Sequence, residues 1–388
     1  MIPLAVPNLA GREGEYLQQC ITSTFVSTVG EFVGRFESMV AEASGAPYCV
    51  ATSAGTTALH AGLVALGVKP GDLVICPSLT FIASANAISH AGALPWLMDV
   101  SSESWTLDPA IVADCLERET RRTDDGLIHV PTGKRVSAIV AVFTLGCPVD
   151  MDPIVDLARG YGLKVLVDGA AALGARYKGR LPGEIGADLV MYSFNGNKTV
   201  TAGGGGALVG HDEALMKRVR HLTTTARVGA DYDHDMVGFN YRMTNLQAAV
   251  GCAQMENLDM FVAAKRRIAA RYDEALADSN SVHRFPDPDW AESACWFSGV
   301  YVPSLSPDQH AEIRARLRAA GIDARPFWKP MHLQKPYAEA PCSGMDVTDA
   351  IWPHVLTLPC STGLTENEQD HVIAHIRGEL ARAGGADE

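Results

Sequence analysis

The sequence predicts an α/β fold, a mostly parallel sheet covered by helices on both faces. Three observations predict it: apolar runs recur from residue 48 to residue 210, amphipathic stretches alternate with them, and several runs are bounded by Gly or Pro. The runs are YCVAT (48–52), DLVICPS (72–78), LPWLMDV (94–100), AIVAVF (138–143), KVLVD (164–168), DLVMYSF (188–194) and GALVG (206–210). Short continuous apolar runs rich in β-branched residues are the pattern of strands buried on both faces. Between the first two runs, GTTALHAGLVALG repeats Leu59, Leu63 and Leu66 at helical spacing. MDPIVDLARGYG reads as another helix, with Asp152 as N-cap, Pro153 at the first position, and Ile154, Leu157, Ala158 and Tyr161 on one face. Strands alternating with helices call for parallel pairing. Residues 119–137, ETRRTDDGLIHVPTGKRVS, are charged and punctuated by Gly and Pro, and read as an inserted loop or hairpin. From Thr244 to about Asp278 runs a long helical pattern, with a bend expected near Asn257 to Asp259. Beyond it come Pro-rich loops and short helices, among them DQHAEIRARLRAAG and TENEQDHVIAHIRGELARAGG, and the tail GGADE reads as frayed. The expected organisation is a large domain over residues 1–255 and a smaller α/β domain over 256–388.

Composition narrows the function classes. With 388 residues, 47% of them hydrophobic, the chain can bury a full core. A net charge of −13 argues against a nucleic-acid binder, which would carry a basic patch. No apolar run is long enough for a transmembrane helix, and the opening MIPLAVPNLAGREGEYL lacks the features of a secretion signal. The nine cysteines are scattered and free of CxxC spacing, so they read as small buried hydrophobes in a reducing compartment. The expected location is therefore the cytoplasm, without nucleic acid, membrane or metal as partners.

The candidate chemistry lies at the ends of the apolar runs. Asp168 closes one, and ligands of open α/β sheets bind beyond the carboxyl ends of strands. A carboxylate there can keep a cofactor's ring nitrogen protonated, which suits pyridoxal phosphate, an electron sink that works best as a pyridinium. Taken singly, a strand-end Asp is more often a cap or turn residue. Lys198 follows the next run at the same expected sheet edge. A lysine in a Gly-flanked turn is commonly solvated surface, whereas a partly desolvated one loses its proton readily and forms Schiff bases. The two together point to chemistry more strongly than either alone. The glycines 203–206 read as a tight turn or a close backbone approach. In SAGTTALH, Gly55, Thr56 and Thr57 stand where a strand turns into a helix N-terminus, a place that favours a phosphate. Ser193 is a further hydroxyl donor, and Phe81 is a candidate to stack on the ring, with ordinary core as its other reading.

These residues carry a resemblance. In GTTALH, PSLTFIASANAI, the D-x-A-x-x-x-G run from Asp168, SFNGNK with its glycines, GFNYRMTNLQAA and PMHLQKPY, the chain resembles the DegT-type nucleotide-sugar aminotransferases. That family belongs to the fold-type-I, aspartate-aminotransferase-like pyridoxal-phosphate enzymes, and the likeness covers nearly the whole length. SFNGNKTVTAGGGGA and the insertion near 119–137 are similar to the subgroup making 4-amino-4,6-dideoxy sugars on the route to legionaminic-acid-like sugars. The resemblance implies that Lys198 binds the cofactor and moves the proton, that Asp168 meets the pyridine nitrogen, and that Thr56, Thr57 and Ser193 hold the phosphate. It further implies that Asn240 reaches the cofactor phosphate of the other subunit of a homodimer with shared active sites. Arg325 and His332 become candidates for the diphosphate of a sugar nucleotide.

The implied reaction moves an amino group from L-glutamate to a nucleotide-linked 4-keto-6-deoxy sugar, with UDP-4-keto-6-deoxy-N-acetylhexosamine as the first expectation. The alternatives are a GDP-sugar, a dTDP-sugar or a cyclitol, or a pyridoxal-phosphate-binding regulatory protein without turnover. Two departures stand out: Ala171 where family members commonly carry Gln or Glu, and Gly169 where Ala is usual. The family's dehydratase branch has histidine in place of the lysine, so Lys198 favours transamination.

Overall fold

The computed structural model describes residues 1–276 and 281–384. Its elements begin with α1 (Glu13–Ser23), α2 (Glu31–Ser44), β1 (Tyr48–Thr52), α3 (Gly55–Ala65), β2 (Leu73–Pro77), α4 (Ala83–His90), β3 (Leu94–Met98) and α5 (Pro109–Glu119). Next come β4 (Thr120–Thr123), β5 (Gly126–His129), β6 (Lys134–Val142), α6 (Met151–Tyr161), β7 (Lys164–Asp168), β8 (Arg176–Tyr177), β9 (Leu189–Ser193), β10 (Gly206–Gly210) and α7 (Glu213–Thr223). The short pair β11 (Arg227–Val228) and β12 (Asp233–His234) leads to α8 (Asn245–Met255) and α9 (Leu258–Leu276). The rest comprises β13 (Ala291–Glu292), β14 (Ser298–Tyr301), α10 (Pro307–Ala319), β15 (Arg325–Pro326), α11 (Asp346–Ile351), β16 (Val355–Leu358) and α12 (Glu366–Gly384).

All seven apolar runs become strands of one sheet, in the order β1-β10-β9-β7-β6-β2-β3. From β9 to β3 neighbouring strands are parallel, and β10 runs against both β9 and β1. Alternate residues of each strand feed opposite faces, as the two-residue period requires. Ile75, Ile139, Val165, Val167, Val190 and Tyr192 join one core with residues of α1, α2, α6 and α8. Val74, Val140, Leu166, Leu189, Met191 and Leu208 join a second core with Leu59 and Leu63 of α3 and Val219 of α7. Apolar cover on both faces is why these strands read as continuous runs rather than alternating ones.

A third core gathers the C-terminal elements around the antiparallel sheet β14-β16-β15, with Ile268 and Tyr272 of α9, Ile313 and Leu317 of α10, and Val372 and Ile376 of α12. Leu4 from the N-terminus packs into it, and Ile2 bridges to Ile322.

Several local expectations change. Asp150, not Asp152, takes the N-cap position of α6, because the helix begins two residues earlier at Met151. Asp152 pairs instead with Lys178 at 3.0 Å and with Arg180. The long pattern after Thr244 is two helices, interrupted at Glu256–Asn257 between α8 and α9, and its last residues, 277 and 278, lie outside the described ones. So does the tail GGADE beyond Gly384. The insertion at 119–137 is a hairpin, β4 with β5, continued antiparallel onto β6. Among the cysteines, Cys342 is exposed and Cys295 partly so, while Cys20, Cys49, Cys76, Cys115, Cys147, Cys252 and Cys360 are buried.

Candidate active site

Parallel pairing brings the carboxyl ends of the central strands level. Val142 of β6 stands beside Asp168 of β7, and Asp168 beside Met191 of β9. Above these ends opens a cavity of about 520 Å³, closed on its far side by Trp296, Phe297, Phe327 and Trp328 from the C-terminal half.

Asp168 forms its floor. The carboxylate is 5% exposed, accepts from Ser84 Oγ at 2.6 Å and from the Ala170 N–H at 3.1 Å. Burial pushes its pKa up, while those two bonds and the Lys198 charge favour the ionised form. The spare lone pairs of a carboxylate can receive one further donor.

Lys198 sits in the turn after β9, where its N–H bonds to Asn195 O at 3.0 Å. Its Nζ lies 3.5 Å from the centre of the Trp296 ring. Desolvation lowers its pKa to about 7; the negative charge of Asp168 opposes the drop and the buried Lys265 adds to it. An amine poised there can both take and give a proton near neutral pH.

The glycine run explains how the turn holds its shape. Phe194 and Gly205 pair through backbone at 2.9 Å, and Gly203 and Gly205 take φ values of +73° and +129°. A Cβ at Gly206 would come within 2.5 Å of Ala54 O and 2.7 Å of Gly55 N, so the close-approach reading applies there. Gly206→Ala must push β10 and the start of α3 apart. It is expected to destabilise the protein by about 1–3 kcal/mol and to weaken cofactor binding, checked by urea unfolding and by cofactor titration.

Gly55 and Thr56 line the cavity at the N-terminus of α3, whose first N–H groups lack partners in the helix itself. Ser193 lines it too. Thr57 does not, because its hydroxyl caps its own helix, donating to Ala54 O at 2.8 Å and accepting from the Ala54 N–H at 3.1 Å. Phe81 lines the cavity with 56% of its surface exposed, edge-on to Trp328 at 6.0 Å. Arg325 lines the opposite wall, paired with Asp323 at 2.8 Å. His332 stands off the lining, its ring between Ser78 Oγ at 2.7 Å and Asp349 Oδ1 at 3.1 Å. Asn240 is exposed, tied to Thr224 by a backbone bridge, and also off the lining.

The cavity meets the demands of pyridoxal phosphate. It offers a carboxylate for the ring nitrogen, an amine of lowered pKa for the carbonyl, a helix N-terminus with a hydroxyl for the phosphate, and aromatic walls. Gly55 leaves the cradle open, since a Cβ there would sit 3.0 Å from Ser193 Cβ. Sequence reasoning missed Ser84, Thr144, Asn195, Asn197 and Trp296. None carries a local signal, and Ser84 and Trp296 act on residues far along the chain. Thr144, which lines the cavity as Ala171 does, is 2% exposed and its hydroxyl has no partner. His371 and His375 stand one helical turn apart on α12, and no group of three or more candidate metal ligands assembles among the described residues. No helix among them is long and apolar enough to cross a membrane.

A family model described as the DegT/DnrJ/EryC1/StrS aminotransferase family matches residues 7–377. The GDP-perosamine synthase of Caulobacter vibrioides is 37% identical over 382 residues, covering 97% of each chain. That of Escherichia coli O157:H7 is 38% identical over 342 residues, covering 87% of each. Among solved structures, S. venezuelae DesV in complex with a ketimine intermediate superposes with a TM-score of 0.84 at 30% identity, covering 95% of this chain and 94% of its own.

Proposed function

Because the chain belongs to the DegT/DnrJ/EryC1/StrS aminotransferase family and is a pyridoxal-phosphate-dependent sugar aminotransferase, we propose that it moves an amino group from L-glutamate to a GDP-linked 4-keto-6-deoxy sugar. The observation that carries the chemistry is the meeting of Lys198 and Asp168 in one cavity beside a helix N-terminus. The GDP-sugar rests on the relatives: a third GDP-perosamine synthase, from Vibrio cholerae, is 34% identical over 385 residues. The UDP-linked N-acetylhexosamine of the legionaminic-type route lacks that support and gives way to the GDP-sugar.

Bound pyridoxal phosphate supplies the electron sink that stabilises the carbanion formed when the donor's Cα–H bond breaks. Asp168, oriented by Ser84 and the Ala170 N–H, holds the ring nitrogen in its protonated form. Lys198 Nζ anchors the cofactor at rest, takes the Cα proton of glutamate in the first half-reaction, and delivers a proton to the former carbonyl carbon of the sugar in the second. Gly55, Thr56 and Ser193 would bind the phosphate through backbone N–H and hydroxyl donors. Phe81 covers the ring, and the wall of Trp296, Phe297 and Phe327 excludes water. Arg325 meets the sugar nucleotide's diphosphate, with His332, off the cavity lining, as a second candidate.

Asn240 serves the cavity of a second copy, which makes the active unit a homodimer. The segment before it supports this reading, since Tyr232 and Val237 are 85% and 86% exposed, apolar surface of the kind that a partner covers.

The test presents the purified enzyme, loaded with pyridoxal phosphate and L-glutamate, with GDP-4-keto-6-deoxymannose and with UDP-4-keto-6-deoxy-N-acetylglucosamine. The GDP-sugar is expected to be aminated with kcat/KM at least about tenfold higher, a difference of about 1.4 kcal/mol. Equal or reversed preference, read by mass spectrometry of the amino-sugar product, would sink the GDP assignment.

A further inference from the structure

Trp296 is held from several directions. Its indole N–H donates to Asn197 O at 2.7 Å, its backbone N–H to Leu145 O at 3.1 Å, and its ring stacks on Phe297 with centroids 3.8 Å apart. From behind, Lys265 Nζ donates to Trp296 O at 2.8 Å and to Cys360 O at 2.6 Å. Lys265 is 2% exposed, and its ammonium bonds to the Trp296 and Cys360 carbonyls and to the Cys360 sulfur at 3.7 Å. The backbone of residue 296 is thus fixed at both its N–H and its carbonyl, and the indole N–H bond and the stack on Phe297 fix the ring, whose π face lies 3.5 Å from Lys198 Nζ.

We propose that Trp296 is a positioning residue that receives the Lys198 amine on its indole face whenever that amine is not bonded to the cofactor. The ring's negative face attracts the ammonium more than the neutral amine, and more strongly in a desolvated site. Trp296 therefore keeps the protonated form within reach while burial and Lys265 on α9 oppose it, and Asp168 on β7 aids it. Arg325, on the other wall, already has its own partner in Asp323. A fixed resting place also returns the amine to one spot after each half-reaction, which shortens its search for the next proton. The inference rests on Lys198 as the reactive amine and is independent of which sugar is used.

Competitive acetylation of the full-length, cofactor-free chain with acetic anhydride tests it, with mass spectrometry of the peptide that carries Lys198. The pH of half-reactivity is expected near 7 for the parent protein. Trp296→Leu keeps an apolar side chain, smaller than the indole, and loses the π face, so the midpoint falls by about 0.5–1 pH unit. Trp296→Phe, with a weaker π face, falls by less, and it carries the test if the leucine variant fails to fold. A midpoint that stays fixed or rises in the folded variants overturns the role of Trp296 alone. A parent midpoint in the ordinary lysine range overturns the reading of Lys198 and the inference with it.

Discussion

Lys198→Ala is expected to lower amination of the sugar by on the order of 10⁴-fold, the upper end of what one positioned acid/base supplies. The same Nζ is asked to anchor the cofactor, take one proton and deliver another, so no neighbouring group can replace it. Among residues lining the cavity, Asp168 is already committed to Ser84 and Ala170, and Arg325 to Asp323. The cofactor should still bind, because Asp168, Gly55, Thr56 and Ser193 remain. Steady-state product formation gives the loss, and cofactor content of the purified variant separates chemistry from binding. Small primary amines added to the buffer should restore part of the rate. A variant that turns over at the parent rate would remove Lys198 from the mechanism.

Asp168→Asn is expected to cost about 10²–10³-fold in kcat, the loss seen when one preorganised electrostatic partner is removed from a developing charge. The substitution keeps the shape, and Ser84 Oγ can still donate to the amide oxygen, although the Ala170 N–H then faces the amide NH2 and loses its acceptor. What disappears is the negative charge that keeps the ring nitrogen protonated. A second consequence has a definite sign. Asp168 raises the pKa of Lys198, so its neutralisation lowers that pKa further. Any limb of the pH–rate profile set by the free Lys198 amine should therefore move to lower pH in the asparagine variant. A shift upward, or an unchanged kcat, would show that Asp168 does not face the reacting system.

The strands were legible because burial on both faces writes itself into consecutive residues. Asp168 and Lys198 were legible for a related reason: one ends a strand and the other follows one, and strand ends of a parallel sheet lie along one edge. The antiparallel placement of β10 left no such mark, since its run of apolar residues would suit either direction. Helix boundaries were blurred for want of a decisive local signal. Asp150 and Asp152 both have the side chain of an N-cap, yet neither caps α6: Asp150 accepts from the Tyr177 hydroxyl, and Asp152 pairs with Lys178 and Arg180. Thr57 reads as a phosphate donor by position, yet its hydroxyl turned to the nearer backbone of Ala54.

The sequence by itself determined the layer architecture, the strand set and the pair of groups to which the proposed chemistry is assigned, because each is encoded within a few neighbouring residues or by a strand's end. Tertiary structure alone decided what surrounds that pair. Ser84 reaches Asp168 across 84 residues, and Trp296 reaches the turn of Lys198 across 99. Such contacts depend on how helices and sheet pack in three dimensions, and no period or spacing along the chain records them. They set whether Asp168 is oriented and whether Lys198 is desolvated, and so whether the two residues can work as acid, base and anchor.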